Sequence, residues 1–91
     1  MSKKELVKFP LPKEAPKLAL VVWEDATQLS SSTWIGHDEA KYQPCYFWQV
    51  GFMVYDGEEG VILSEAWNKE LLSNPTQIPR GMIRKVQYLL V

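Results

Sequence analysis

The segment PCYFWQVGFMVYDG, residues 44–57, decides how this chain folds. From residue 45 to residue 55 it carries no charge and consists mainly of aromatic and β-branched residues, so it predicts one long strand. Side chains on a strand alternate between its two faces. The even positions form an unbroken bulky set and are predicted to face the core: Tyr46, Trp48, Val50, Phe52 and Val54.

The odd positions of this strand are also more apolar than a solvated face should be. They include Phe47, Met53 and Tyr55, and monomeric proteins rarely leave a large apolar patch exposed. We therefore predict that these three residues form the self-association contact of a homo-oligomer. Gly51 in mid-strand predicts a bend or bulge, the usual device by which a long strand wraps around a small barrel.

Shorter segments on either side complete a mainly β pattern. Strands are predicted near residues 17–26, 61–68 and 84–90, with a hairpin connection at 56–60 and a helical turn at 79–81. Together with the long bent strand, this order is typical of a small five-stranded SH3-like or Sm-like barrel with one short helical turn before the last strand. The barrel domain is predicted to span residues 17–91.

Residues 1–16 are predicted to be an extended, basic, proline-rich arm. Residues 1–17 hold five lysines and two glutamates, a net charge of +3, whereas residues 18–91 hold five basic and nine acidic side chains, a net charge of −4. Two interpretations stay open. The arm is either a solvated tail or a contact for an acidic surface, such as the body of a second copy.

Composition limits the class of protein. The 91 residues are 46% hydrophobic and 23% charged, which indicates one globular domain and argues against disorder. Cys45 is the one cysteine, so an intrachain disulfide is excluded and a reducing compartment is indicated. No stretch is apolar enough to predict a membrane span. We expect a cytoplasmic protein without membrane contact.

Few residues suit catalysis or metal binding. His37 is the single histidine, and its neighbours Asp38 and Glu39 cannot converge with it on one point of a loop. A phosphate-binding glycine loop, a nucleophile elbow and a cysteine pair are all missing from the sequence. We therefore expect no enzymatic activity, no cofactor and no metal. An enzyme would require a buried His37 beside Asp25 or Glu39.

Aromatic residues make up 12% of the chain, with four tryptophans. Large rings either fill a small core or provide platforms for bases and protein partners. Trp34 and Tyr42 lie in a polar connection, residues 27–44, where core packing explains them poorly. Arg80 and Arg84 flank the predicted turn and have the chemistry to grip one phosphate or carboxylate together. The predicted ligand contacts are Trp34, Tyr42, Arg80 and Arg84.

Five short motifs resemble a pattern found in short, uncharacterised bacteriophage accessory proteins. They are VVWEDA, STWIG, VGFMVYD, GVILSEAW and IPRGMIRKVQYL, within residues 20–90. The resemblance implies a phage protein that acts on host proteins, defence systems or nucleotide signals, and it identifies no catalytic residue. The leading hypothesis is a non-enzymatic, anti-defence binding module that binds a host protein or sequesters a small nucleotide. The alternative is an RNA or single-stranded DNA binder of the Sm-like or SH3-like type, which the acidic body disfavours.

Overall fold

The computed structural model describes residues 10–29 and 33–90. They contain seven strands: β1 (Leu18–Asp25), β2 (Cys45–Asp56), β3 (Gly60–Ser64), β4 (Ala66–Trp67), β5 (Leu72–Ser73), β6 (Thr76–Pro79) and β7 (Ile83–Tyr88). Two single 3₁₀ turns, His37–Glu39 and Arg80–Met82, precede β2 and β7. No helix in the described part of the chain is long and apolar enough to cross a membrane.

Five of the strands form one antiparallel sheet in the order β6-β3-β2-β1-β7, and β4 and β5 form a separate hairpin. The predicted mainly β fold and the short helical turn before the last strand are confirmed. The predicted closed five-stranded barrel is not found, because the edge strands β6 and β7 do not pair within residues 10–29 and 33–90. The strand predicted near residues 61–68 is divided at Glu65 into β3 and β4.

The core lies against the odd-numbered face of β2. Its buried members are Ala19, Val21, Met53, Val61, Leu63 and Ile78, and Trp23, Met82, Ile83 and Val86 pack against them. The prediction that the even positions of β2 face the core is therefore wrong. Tyr46, Trp48 and Val50 are 42%, 67% and 56% exposed.

The pairing of β2 with β1 explains why the odd face of β2, and not the predicted even face, lies against the core. Ala19 of β1 lies opposite Gly51, and Val21 lies opposite Gln49, so the small buried residues of β1 share a side with the odd positions of β2. A Cβ atom on Gly51 would come within 2.9 Å of the Ser64 carbonyl oxygen. The core is thus built by close approach of β3 to a glycine, and the bulk of the even positions faces outward.

A β-bulge interrupts the alternation of β2. Met53 pairs with Leu63 and Tyr55 pairs with Ile62, which leaves Val54 without a partner in β3. The irregularity thus lies at Val54, three residues after the predicted bend at Gly51. After the bulge the parity of the strand reverses, because Asp56 lies opposite the buried Val61.

These findings change the predicted self-association contact. Met53 is only 7% exposed and belongs to the core, so it is not available to a second copy. Phe47 remains 45% exposed while its ring stacks on Trp23 with the centroids 4.9 Å apart. Tyr55 is also partly exposed, and its hydroxyl donates a 2.7 Å hydrogen bond to Glu59.

Part of the predicted arm follows the body of the protein. Residues 10–14 are exposed, a turn joins the Ala15 amide to the Pro12 carbonyl, and Glu14 forms a 3.6 Å ion pair with Lys69 of the β4–β5 hairpin. This ion pair is exposed and contributes little stability. The prediction for residues 1–9 lies outside the described residues.

Candidate functional site

A cleft of about 440 Å³ opens where the end of β1 meets the start of β7. The connection between β1 and β2 and the second 3₁₀ turn form its other walls. Its lining consists of Glu24, Asp25, Ala26, Thr27, Leu29, Tyr42, Gln43, Gly81, Met82 and Arg84. We call it the β1–β7 cleft. Its volume falls in the range of sites that bind small ligands.

Arg84 is held in the cleft by Glu24. Its Nε and Nη2 atoms donate hydrogen bonds of 3.1 and 2.9 Å to Glu24 Oε1, and its Nη1 atom donates to the Gly81 carbonyl at 2.8 Å. The Glu24 side chain is only 12% exposed, which strengthens the pairing relative to an open surface. The Arg84 charge is therefore compensated before any ligand arrives.

Asp25 supplies the uncompensated charge of the cleft. It is the last residue of β1 and is half-buried. No cation forms an ion pair with it among the residues that the structure describes. Since Glu24 and Arg84 neutralise each other, the cleft presents a net negative charge. That sign suits a cationic group and opposes a phosphate.

Apolar groups line the rest of the β1–β7 cleft. Tyr42 is 79% exposed and Leu29 is 57% exposed, whereas Met82 of the second 3₁₀ turn packs against the core. An exposed aromatic ring beside a carboxylate is a common setting for a basic side chain, because the ring face attracts cations. The cleft thus combines a negative group with an apolar wall.

Two of the four predicted ligand residues come together and two do not. Tyr42 and Arg84 both line the β1–β7 cleft. Trp34 is 88% exposed in the same connection but does not line it. Arg80 binds Asp56 Oδ1 at 2.6 Å and the Gly57 carbonyl, on the other side of the 3₁₀ turn. Arg80 and Arg84 are therefore held by different carboxylates and do not converge on one anion.

A second polar group, which we call the Asp56 cluster, joins Asp56, Arg80 and Tyr88. The Tyr88 hydroxyl donates a 2.6 Å hydrogen bond to Asp56 Oδ2 while Arg80 binds Oδ1. The bond from Tyr88, and then that from Arg80, lowers the pKa of the Asp56 carboxyl. The same bond raises the pKa of Tyr88. The cluster fastens the end of β2 to β7 and to the second 3₁₀ turn.

His37 lies neither in the β1–β7 cleft nor in the Asp56 cluster. It is exposed at the start of the first 3₁₀ turn, where the Glu39 carboxylate accepts a 3.1 Å hydrogen bond from the Gly36 amide. The burial that an enzymatic role for His37 would require is not observed. Within residues 10–29 and 33–90, no group of three or more His, Cys, Asp or Glu side chains is arranged to hold a metal ion.

The sequence analysis named Asp25 only as a possible partner of His37, and it missed the Asp56 cluster, for the same reason. The negative charge of Asp25 matters only because β7 brings Arg84 to the neighbouring Glu24, and Glu24 and Arg84 are 60 positions apart in the sequence. Asp56 and Tyr88 are 32 positions apart and meet only because the bulge at Val54 reverses the parity of β2. The acidic pair at residues 24–25 was the available signal for the first site.

Comparison with known proteins identifies no relative of this chain. No family model, no curated protein and no solved structure matches the chain. The resemblance to bacteriophage proteins therefore rests on the short motifs within residues 20–90 alone. Any functional assignment has to come from the chemistry of the β1–β7 cleft and of the exposed aromatic residues.

Proposed function

We propose that this protein is a non-enzymatic binding module whose β1–β7 cleft takes a short extended segment of a partner protein. One observation carries the proposal. The uncompensated Asp25 carboxylate and the exposed Tyr42 ring line the same cleft, while Glu24 already holds Arg84. A lysine or arginine side chain fits this pair of groups, and Leu29 and Met82 suit an apolar neighbour in the bound segment.

The cleft favours a protein partner over a small nucleotide. Phosphate groups need uncompensated positive charge, and the charge of Arg84 is taken by Glu24. The aromatic ring of Tyr42 would suit a base, but Asp25 would repel the phosphates. Sequestration of a nucleotide is therefore the less favoured alternative. Binding measurements with the Asp25→Asn variant distinguish it from binding of a protein segment.

Binding of an array of peptides to the purified protein tests the proposal. We expect enrichment of peptides that combine a basic and an apolar residue, and we expect Asp25→Asn to weaken their binding by about 1.5–3 kcal/mol, because it removes a charged partner. Tyr42→Ala should weaken the same peptides. Asp38→Asn, an exposed carboxylate outside the cleft, is the matched control.

Two results would contradict this assignment. The first is equal peptide binding by wild type, Asp25→Asn and Tyr42→Ala. The second is binding of a nucleotide that improves when Asp25 is neutralised, which would restore the nucleotide branch. The first result would move the search to the exposed aromatic residues of β2.

We also propose that the sheet is the framework of a small SH3-like or Sm-like barrel. The support is the strand order β6-β3-β2-β1-β7, the bulged central strand and the 3₁₀ turn before β7. Tyr88 on an edge strand and Arg80 after the other edge strand both reach Asp56, so the sheet curls toward closure. A role against host proteins or defence systems in the cytoplasm rests on the motif resemblance and on the single cysteine.

One observation keeps nucleic-acid binding as a second candidate. Tyr46 and Trp48 lie exposed on one face of a strand, an arrangement on which bases stack at about 1–3 kcal/mol each. The net charge of −4 over residues 18–91 opposes it. Titration of a labelled single-stranded oligonucleotide at low and moderate salt tests this candidate, since phosphate contacts would give a steep loss of affinity with salt.

A further inference from the structure

Half of β2 is a free sheet edge. β1 pairs with every residue of β2 from Cys45 to Phe52, whereas β3 pairs only from Phe52 onward. β4 comes near β2 but pairs with β5. In the described part of the chain, residues 45–50 therefore have a strand on one side and none on the other. We call the open side of residues 45–50 the β2 edge.

The hydrogen bonds at the end of β1 show which backbone groups lie on the β2 edge. The Leu18 carbonyl accepts from the Leu89 amide at 2.9 Å, and the Lys17 carbonyl accepts from the Met53 amide at 2.8 Å. Odd residues of β2 thus bond to β1, and the register stays regular back to Cys45. Neighbouring residues of a strand point their backbone groups in opposite directions, so Tyr46, Trp48 and Val50 direct theirs to the open side.

The β2 edge lacks the features that protect the other two edges. Sheet edges are commonly blocked by proline, by charged residues or by a bulge. β6 ends at Pro79, and β7 carries Arg84 and Lys85. Residues 45–50, CYFWQV, contain no charge, no proline and no glycine, and they are regular in register. Within the described residues, none of these blocking features prevents a second strand from pairing here.

We propose that the β2 edge pairs antiparallel with the β2 edge of a second copy, with Trp48 opposite Trp48 across a two-fold axis. This register places Tyr46 opposite Val50 and satisfies the outward N–H and C=O groups of all three residues in both copies. An axis at Phe47 would place Pro44, which has no N–H, opposite Val50. An axis at Gln49 would oppose Tyr46 to Phe52, where β3 already pairs.

Area and charge are consistent with a pair of copies that exchanges with monomer. At roughly 200 Å² for a whole aromatic side chain, the exposed parts of Tyr46, Phe47 and Trp48, together with Val50, offer about 400 Å² per copy. The pair would bury about 800 Å², which is small for a stable interface. No charged residues of the two edges oppose each other, so the pairing adds no local charge repulsion. We therefore infer a concentration-dependent dimer.

Sedimentation velocity over a series of protein concentrations tests the dimer. The wild type should show a monomer–dimer equilibrium. Trp48→Lys should raise the dimer dissociation constant more than about tenfold, because two like charges would meet at the axis. Leu71→Lys is the control, since Leu71 is 68% exposed on the β4–β5 hairpin. A mixture of the Trp48→Lys and Trp48→Glu variants should regain a heterodimer, because only this register places position 48 opposite itself.

Hydrogen exchange supplies a second test that does not need a variant. The amides of Phe47 and Gln49 should be protected at every protein concentration because they bond to β1. Those of Tyr46, Trp48 and Val50 should become protected only as the concentration rises. The proposal is overturned by a monomer at all concentrations, by a dimer that Trp48→Lys leaves unchanged, by a Lys–Glu mixture that stays monomeric, or by an open-ended ladder of oligomers.

Discussion

At the scale of single residues, Asp56 combines two interactions that tie distant parts of the chain. It accepts one hydrogen bond from Tyr88 and another from Arg80. Both interactions lower the pKa of Asp56, so its ionised form is favoured in the folded state. The unfolded chain then binds a proton at Asp56 more readily than the folded chain. The contribution of the cluster is therefore present above the ordinary pKa of an aspartate and is lost as pH falls through the lowered pKa of Asp56.

This residue-scale effect gives a prediction for Tyr88→Phe. The substitution removes the hydroxyl that binds Asp56 and keeps the ring, so we expect a loss of about 0.5–1 kcal/mol in the free energy of unfolding at neutral pH, near the low end because the site is partly exposed. Urea unfolding at a series of pH values measures it. The difference between wild type and variant should shrink below about pH 4. A difference independent of pH would contradict the role given to Asp56.

At the scale of secondary-structure elements, Gly51 controls how closely β3 approaches β2. A Cβ atom there would lie 2.9 Å from a backbone oxygen, whereas a Cβ atom on Gly81 would meet nothing within 4 Å. We expect Gly51→Ala to cost about 1–3 kcal/mol of stability, since the backbone of β3 must shift. Gly81→Ala is the matched control and should leave stability unchanged or slightly improved. Thermal or urea unfolding of both variants compares them, and equal stabilities would show that β3 tolerates the shift.

The elements also show which features a sequence of this kind can reveal. The strands β1, β2, β3 and β7 were predictable from apolar runs between turn residues, whereas the short strands β5 and β6 were not predicted. Pro79 with Gly81 located the second 3₁₀ turn. The face of β2 was not predictable from its own alternation, because both faces are bulky. The deciding residues are Ala19 and Val21 on β1, whose small buried side chains select the odd face only once the register is known. Tyr42 and Arg84 were predicted as ligand contacts from their chemistry and both line the β1–β7 cleft, but the role proposed for Asp25 required the pairing of β1 with β7.

At the scale of the whole molecule, a low net charge coincides with an unprotected edge. The formal charge is −1 at pH 7, so long-range repulsion between copies is weak. An uncharged six-residue edge then governs association at high concentration. We expect Trp48→Lys to raise the solubility limit of the protein more than Leu71→Lys does, although both add one positive charge. Precipitation curves in polyethylene glycol compare them, and equal gains would attribute solubility to charge alone.

The bulge at Val54 has a consequence for how this protein tolerates insertions and deletions. Before Val54 the core side of the strand is taken by odd positions such as Met53, opposite Leu63, and after it by Asp56, opposite Val61. Loss of this one residue would make the alternation regular without changing the register, because Tyr55 would still lie opposite Ile62 and Asp56 opposite Val61. The contacts with Glu59, Arg80 and Tyr88 would then survive the deletion. Loss of a residue from the regular part of β2, such as Val50, would instead exchange the two faces of one part of the strand.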